Sequence, residues 1–223
     1  MTWFSYIFPQ TILRTSSKYN SHIRINEERG KLKLLVNGSR ESGEYIEKLW
    51  KEAFAAFGFG GLGSGLKLHQ GLTPSILVLG VAGGTVIHLA RRMYPKAAIT
   101  GVDIDKVMLD IGRTYFGLGE AKGLTLIHQD AKQYVQKAVV QKKQYDLIIV
   151  DLFLGREIPG FVESQSFLRQ LHRLLKKDGR VIINFLRELE YESVSDKLME
   201  RLKKTFRVVQ DFGLYHNRFF WAR

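Results

Sequence analysis

Hydrophobic positions along this chain fall into two alternating rhythms. Residues 76–79 (ILVL), 145–150 (YDLIIV) and 181–185 (VIINF) are nearly unbroken apolar runs, the signature of strands buried on both faces of a parallel sheet. Between and after them, apolar residues recur at helical spacing over 106–116, 131–140, 164–175 and 193–204. In the third of these Phe167, Leu168, Leu171, Leu174 and Leu175 form one stripe, and Lys177-Asp178-Gly179 predicts its end. Shorter strands are predicted at 98–103 and 124–128, and a terminal pair at 206–212 and 215–221, the last antiparallel. Strict βα alternation with right-handed crossovers requires a mostly parallel sheet covered by helices.

Before residue 75 the rhythm changes. Residues 21–26 and 31–36 alternate polar and apolar around a turn at 27–30, and Asn37-Gly38 follows, which predicts a β-hairpin and a further turn. Over 44–57, Ile46, Leu49, Trp50, Ala53, Phe54 and Phe57 mark one helix face. The opening MTWFSYIFP is apolar but far shorter than a membrane span, with neither basic leader nor cleavage site, and reads as a packed arm. Five glycines between Gly58 and Gly65 predict a mobile connection. The expected division is an N-terminal arm, hairpin and helix (1–57), a glycine-rich connection (58–74) and a nucleoside-binding catalytic domain (75–223).

Composition narrows this only modestly. With 223 residues, 45% apolar and 12% aromatic, the chain has enough core for one main domain. The absence of cysteine removes disulfides and thiolate metal sites, and a reducing cytoplasm is the simplest compartment. The formal charge of +12 could steer anions, nucleic acid or acidic lipid. It is dispersed, however, and no RNA-binding aromatic signature accompanies its densest patches at Arg201–Lys204 and Lys142-Lys143. Nucleic acid is therefore a lesser alternative and no membrane partner is expected. The six histidines, His22, His69, His88, His128, His172 and His216, lack HExxH spacing, so no metal site is expected.

Candidate chemistry gathers at the predicted strand tips. The first buried strand runs into Gly80, and Gly83 and Gly84 complete a bend that opens a helix at Thr85. Glycines there let backbone approach a ligand, and free N–H groups at the helix start favour an electron-rich group. The second strand ends at Asp103, with Asp105 beyond it, the third at Asp130-Ala131 and the fourth at Asp151. Any one of these acids could be merely a helix cap or a turn residue. Together, at the edge where open α/β sheets bind ligands, they suit a nucleoside. Asp103 would hold a ribose, Asp130 the exocyclic amine of a purine, and Asp151 would face whatever reacts beside it. The GxxGG spacing departs from the GxGxxG of NAD-dependent dehydrogenases.

The segments VLGVAGGT, GVDID, HQDA and YDLIIVDLFLGREIP resemble the spermidine synthase-like proteins of the class I S-adenosylmethionine-dependent transferase fold. Residues 21–41 resemble that family's N-terminal hairpin, and IDKVMLDIGRTYFGL resembles its acid-to-helix segment. The resemblance implies a Rossmann-like, seven-stranded, mostly parallel sheet with helices on both faces. It also implies S-adenosylmethionine or decarboxylated S-adenosylmethionine as co-substrate. Gly80, Ala82, Gly83 and Gly84 would line the nucleoside, Asp103 with Ile104 the ribose, and Asp130 with Ala131 the adenine. Asp151 would help deprotonate and orient an attacking amine. An aminopropyl or methyl group would pass to a small-molecule amine, with no metal and with a homodimer as the possible assembly. The alternatives are methylation of another acceptor, or nucleoside binding without turnover. Four departures fall mainly on the acceptor half. Leu154 stands where the family carries a second acid, Ala82 replaces an acid in the glycine loop, Tyr45-Ile46 replaces a Tyr-His or Tyr-Gln pair, and the family's upstream Gln falls near Val36.

Overall fold

The computed structural model describes residues 3–58, 73–155, 157–188 and 190–223. Nearly all of the glycine-rich connection read as mobile lies outside them. The N-terminal sheet is antiparallel, in the order β1 (Gln10–Thr15), β2 (Ile23–Glu28), β3 (Lys31–Val36) and β4 (Ser39–Arg40). Arg29-Gly30 and Asn37-Gly38, all at positive φ, make the two-residue turns that join the last three strands. The first strand is absent from the periodicity for a local reason. Between Thr11 and Leu13 its register against β2 slips, so Ile12 is an extra residue and polar–apolar alternation breaks.

Seven strands form the main sheet: β5 (Ser75–Leu79), β6 (Ala98–Asp103), β7 (Leu124–His128), β8 (Tyr145–Val150), β9 (Leu175–Leu186), β10 (Val209–Leu214) and β11 (Asn217–Ala222). Their spatial order is β7-β6-β5-β8-β9-β11-β10, and only β11 runs against its neighbours. This is the Rossmann-like methyltransferase sheet that the sequence predicts, with its terminal antiparallel strand. The order reverses at β5, and a crevice opens there between the carboxyl ends of β5 and β8.

Three helices cover each face. On one side α1 (Glu44–Ala56), α2 (Thr85–Met93) and α3 (Lys106–Tyr115) bury Trp50, Phe54, Ile87 and Leu109 against Ile76, Val78, Ile149 and Phe219. On the other, α4 (Ala131–Val140), α5 (Gln165–Arg173) and α6 (Tyr191–Lys203) bury Val135, Leu168, Leu171 and Leu198 against Leu77, Leu79, Ile148 and Ile183. Each such side chain contributes roughly 1.5–3 kcal/mol on leaving water. The N-terminal sheet docks through Ile23, Ile25, Leu34 and Val36 onto Met108 and Ile111 of α3. Its polar side is tied in by Asp105, which is buried and accepts hydrogen bonds from Ser17, from Asn20 at 2.9 Å and from the Val107 N–H at 3.0 Å. One carboxylate thus caps α3 and anchors the loop between β1 and β2.

The structure shifts several predicted boundaries by two or three residues, the terminal strands running 209–214 and 217–222, and moves one further. The Lys177-Asp178-Gly179 turn does not precede β9 but lies within it, because Asp146 alone stands between register pairs that bracket residues 176–179 on β9. Gly179 is required in that excursion, since an added Cβ would lie 2.8 Å from the Tyr145 carbonyl oxygen. Among the described residues no helix is long and apolar enough to cross a membrane.

Candidate active site

The parallel strands place their carboxyl ends along one lip, and the acids predicted there converge. Gly80, Ala82, Asp103, Ile104, Asp130, Ala131 and Asp151 all line a single cleft of about 860 Å³. Tyr19 and Asn20 of the N-terminal loop, Met108 of α3, and residues 152–155, Pro159 and Phe161 from the loop after β8 complete it. Gly83 and Gly84 do not line it. A Cβ on Gly83 would meet Ser42 at 2.7 Å, and Gly84 holds the left-handed conformation (φ +79°) that starts α2.

Gly80 has a sharper constraint. Its φ is +90°, and a Cβ there would lie 1.9 Å from the Asp151 carbonyl oxygen. Only glycine lets the turn after β5 pass the tip of β8 so closely. The bend is held by Asp103, whose Oδ2 accepts from the N–H groups of Val81 (2.8 Å) and Ala82 (3.2 Å), and whose Oδ1 accepts from Asp105 N–H (2.8 Å). Burial raises the Asp103 carboxyl above its usual range, and these backbone donors oppose the shift. Oδ1 keeps an acceptor position for a ligand hydroxyl. Asp130 caps α4 through the Gln133 N–H at 2.9 Å while also lining the cleft, so the capping role and the site role coincide in one residue.

Asp151 stands where this cleft meets a second, more open groove of about 1900 Å³. The Asn184 amide of β9 donates to its Oδ1 at 2.8 Å, and Asn217 of β11 donates to the Asn184 carbonyl at 2.9 Å. The Trp50 indole of α1 donates to the same carboxyl. Burial pushes Asp151 up to about 6, and the donors from Asn184 and Trp50 hold it from rising further. It is therefore mostly ionised at neutral pH.

Sequence reading missed one acid. Glu41, just after the two-residue strand β4, lines both the cleft and the groove. Burial, then the negative charges of Asp151 and Asp103, push it up to about 8. No hydrophobic period could flag it, because β4 is too short to carry one. Asn184 was visible as the only polar side chain in VIINF, inside an otherwise apolar buried strand. Leu154, at the position of the family's second acid, lines the cleft and is 41% exposed. Among the described residues, no Lys, Arg or His lines the cleft, and no group of three or more His, Cys, Asp and Glu could hold a metal ion.

Residues 75–217 match the family described as "Methyltransferase domain". The polyamine aminopropyltransferase of Vibrio vulnificus is 29% identical over 142 residues, covering 64% of this chain and 44% of that enzyme. The human "eEF1A lysine and N-terminal methyltransferase" is 29% identical over 143 residues, covering 59% of this chain and 20% of that protein. The chain thus matches less than half the length of these curated relatives. A solved structure of a probable spermidine synthase from Corynebacterium glutamicum superposes with a TM-score of 0.76 at 18% identity, covering 94% of this chain and 79% of the other, and so shares its fold. The match spans β5 to the start of β11 with the strand-tip acids between, and the chain belongs to the methyltransferase-domain family of the class I S-adenosylmethionine-dependent fold, with spermidine synthase-like proteins among its relatives.

Proposed function

We propose that this protein transfers an alkyl group from an S-adenosyl sulfonium donor to the nitrogen of an amine acceptor. The observation that carries the reading is Asp151, a half-buried carboxylate fixed by Asn184 and Trp50 at the junction of a cleft lined by the strand-tip acids and an open groove. When bound, the donor supplies a carbon made electrophilic by the neighbouring sulfonium. The chain's own residues supply position and charge. Asp103 accepts from ribose hydroxyls, Asp130 and Ala131 meet the adenine edge, and Gly80 and Ala82 let backbone come close. Asp151 takes the proton from the attacking amine and stabilises positive charge growing on nitrogen. Alignment of nitrogen, carbon and sulfur contributes most of the remaining acceleration.

The cleft favours one donor over the other. Glu41, Asp103, Asp105, Asp130 and Asp151 line it without a described Lys, Arg or His. A donor that keeps its amino-acid carboxylate would add a further carboxyl group to a wall that already holds five, which supports the decarboxylated donor, and hence aminopropyl transfer. Methyl transfer is the second reading, supported by the human methyltransferase relative. Cytoplasmic placement fits a cysteine-free chain.

The test incubates the protein with each donor and a panel of diamines and peptide amines, and separates the nucleoside products. Methylthioadenosine marks aminopropyl transfer and S-adenosylhomocysteine marks methyl transfer. Asp151→Asn should lower turnover by about 10²–10⁴-fold with donor affinity kept. If Asp151→Asn turns over as fast as the native chain, the reading fails.

A further inference from the structure

We propose that Glu41 is the counter-ion of the donor's sulfonium, supplied by the N-terminal sheet to the junction between the cleft and the groove. The inference rests on the S-adenosyl reading of that cleft and deepens it. Its first support is position. Glu41 lines both cavities, as Asp151 does, and it senses Asp103 on the nucleoside side and Asp151 on the acceptor side. In an S-adenosyl donor the sulfur sits on C5′ of the ribose, between the ribose and the incoming nitrogen. A group between the ribose acid and the amine acid therefore stands beside sulfur.

The second support is the lack of any internal partner. The Glu41 backbone N–H bonds to the Leu34 carbonyl at 3.0 Å, whereas its carboxyl makes no hydrogen bond or ion pair among the described residues. The charged groups that act on it are Asp151 at the end of β8 and Asp103 at the tip of β6, both acids; Asp105 and Asp130 line the same cleft, and Glu188, Glu190 and His216 line the groove without shifting it. Arg40 lines the groove but not the cleft, and it is not among the groups that shift Glu41. A half-buried carboxyl beside two other carboxyls is costly when charged, and a cation brought by a ligand relieves that cost. Desolvation beside Asp151 and Asp103, which raises the group to about 8, leaves it mostly protonated in the free protein at neutral pH. Entry of a sulfonium makes the carboxylate the favoured form, and the displaced proton passes to solvent.

Binding and proton release are therefore coupled, and titration calorimetry reads both. At pH 7.5, in two buffers of different ionisation enthalpy, the native chain should release most of a proton on binding decarboxylated S-adenosylmethionine. It should release almost none on binding methylthioadenosine, the neutral thioether. Glu41→Gln should abolish the release and reduce the preference for sulfonium over thioether by about tenfold or more, the equivalent of one pKa unit. Its methylthioadenosine affinity should not change. Glu41→Asp should keep both release and preference. Undiminished release or preference in Glu41→Gln overturns the proposal. So does release that appears only when an amine is added, which would assign Glu41 to the acceptor's ammonium. If the folded native chain binds neither compound, the S-adenosyl reading itself falls, and that outcome is distinct from a loss confined to the Glu41 variants.

Discussion

Replacing Gly80 with alanine tests whether the tip of β5 positions the reacting acid. The Cβ would lie 1.9 Å from the Asp151 carbonyl oxygen, and real Cβ atoms essentially never come within 3.0 Å of such a neighbour. Asp151 must therefore retreat by about 1 Å, which disturbs its 2.8 Å bond from Asn184. Two costs add. Holding an alanine at positive φ costs about 1–2 kcal/mol, and forcing atoms into a filled site costs about 1–3 kcal/mol more. Gly38 separates the two, because its φ is +85° and nothing lies within 4 Å of its Cβ position. At roughly 2–4 °C per kcal/mol for a chain of this size, Gly38→Ala should lower the Tm by about 2–8 °C and leave ligand binding intact. Gly80→Ala should fall to about 4–20 °C below the native protein. It should also lose about 100-fold in turnover, the effect of a 1 Å misplacement at a reacting centre. Thermal melts of both variants, followed by the nucleoside-product assay, decide the matter. If Gly80→Ala melts with Gly38→Ala and turns over like the native chain, the contact between the tips of β5 and β8 does not set the position of Asp151.

Three other predictions use the acids and their donors. Asn184→Ala removes a hydrogen bond that holds Asp151 down at about 6; its pKa should rise, and the acid limb of the pH–rate profile should move to higher pH. Glu41 has a folded pKa of about 8 against an ordinary 4.5, so it costs nothing at pH 4 and destabilises increasingly as pH climbs to 8. Glu41→Gln should accordingly match the native Tm at pH 4 and exceed it at pH 9, where the gain is at most on the order of 5 kcal/mol; equal melts at pH 9 would refute the raised, unpartnered acid. Asp105→Ala leaves Asn20 and the start of α3 without their acceptor, and should cost about 2–4 kcal/mol by chemical denaturation.

The main sheet was legible in the sequence because burial on both faces leaves an unambiguous mark. SILVL and YDLIIV are apolar nearly throughout, and the glycine turn after the first and the acid after the second could be placed at one lip by topology alone. β1 was hidden because the bulge at Ile12 breaks its alternation. The start of β9 was hidden because a four-residue excursion holding Gly179 looks like a helix-to-strand turn. The two halves of the site differ in the same way. Asp103, Asp130 and Asp151 follow predictable strands, whereas Glu41 follows a two-residue strand and Trp50 serves both as core and as a donor to Asp151. Only the three-dimensional meeting of the N-terminal sheet with the strand tips joins these groups.

That meeting changes what the loss of the second acid at Leu154 implies. Read along the chain, the substitution thins the acceptor half; in space, Glu41 restores a second carboxylate from a different sheet. The two acids are not equivalent, because their surroundings push them apart. Asp151 has Asn184, backed by Asn217, and the Trp50 indole to stabilise its charge, so it sits near 6. Glu41 has no donor and two acidic neighbours, so it sits near 8. Titratable pairs separated in this manner divide a reaction's labour. In the proposed reaction, Asp151 would be a base when the amine arrives, while Glu41 would stay neutral until positive charge enters the cleft. Without the donors from Asn184 and Trp50, burial would leave the Asp151 carboxyl titrating higher and less able to receive a proton. The polar side chains that select which acid is charged therefore belong to the chemistry as much as the acids do.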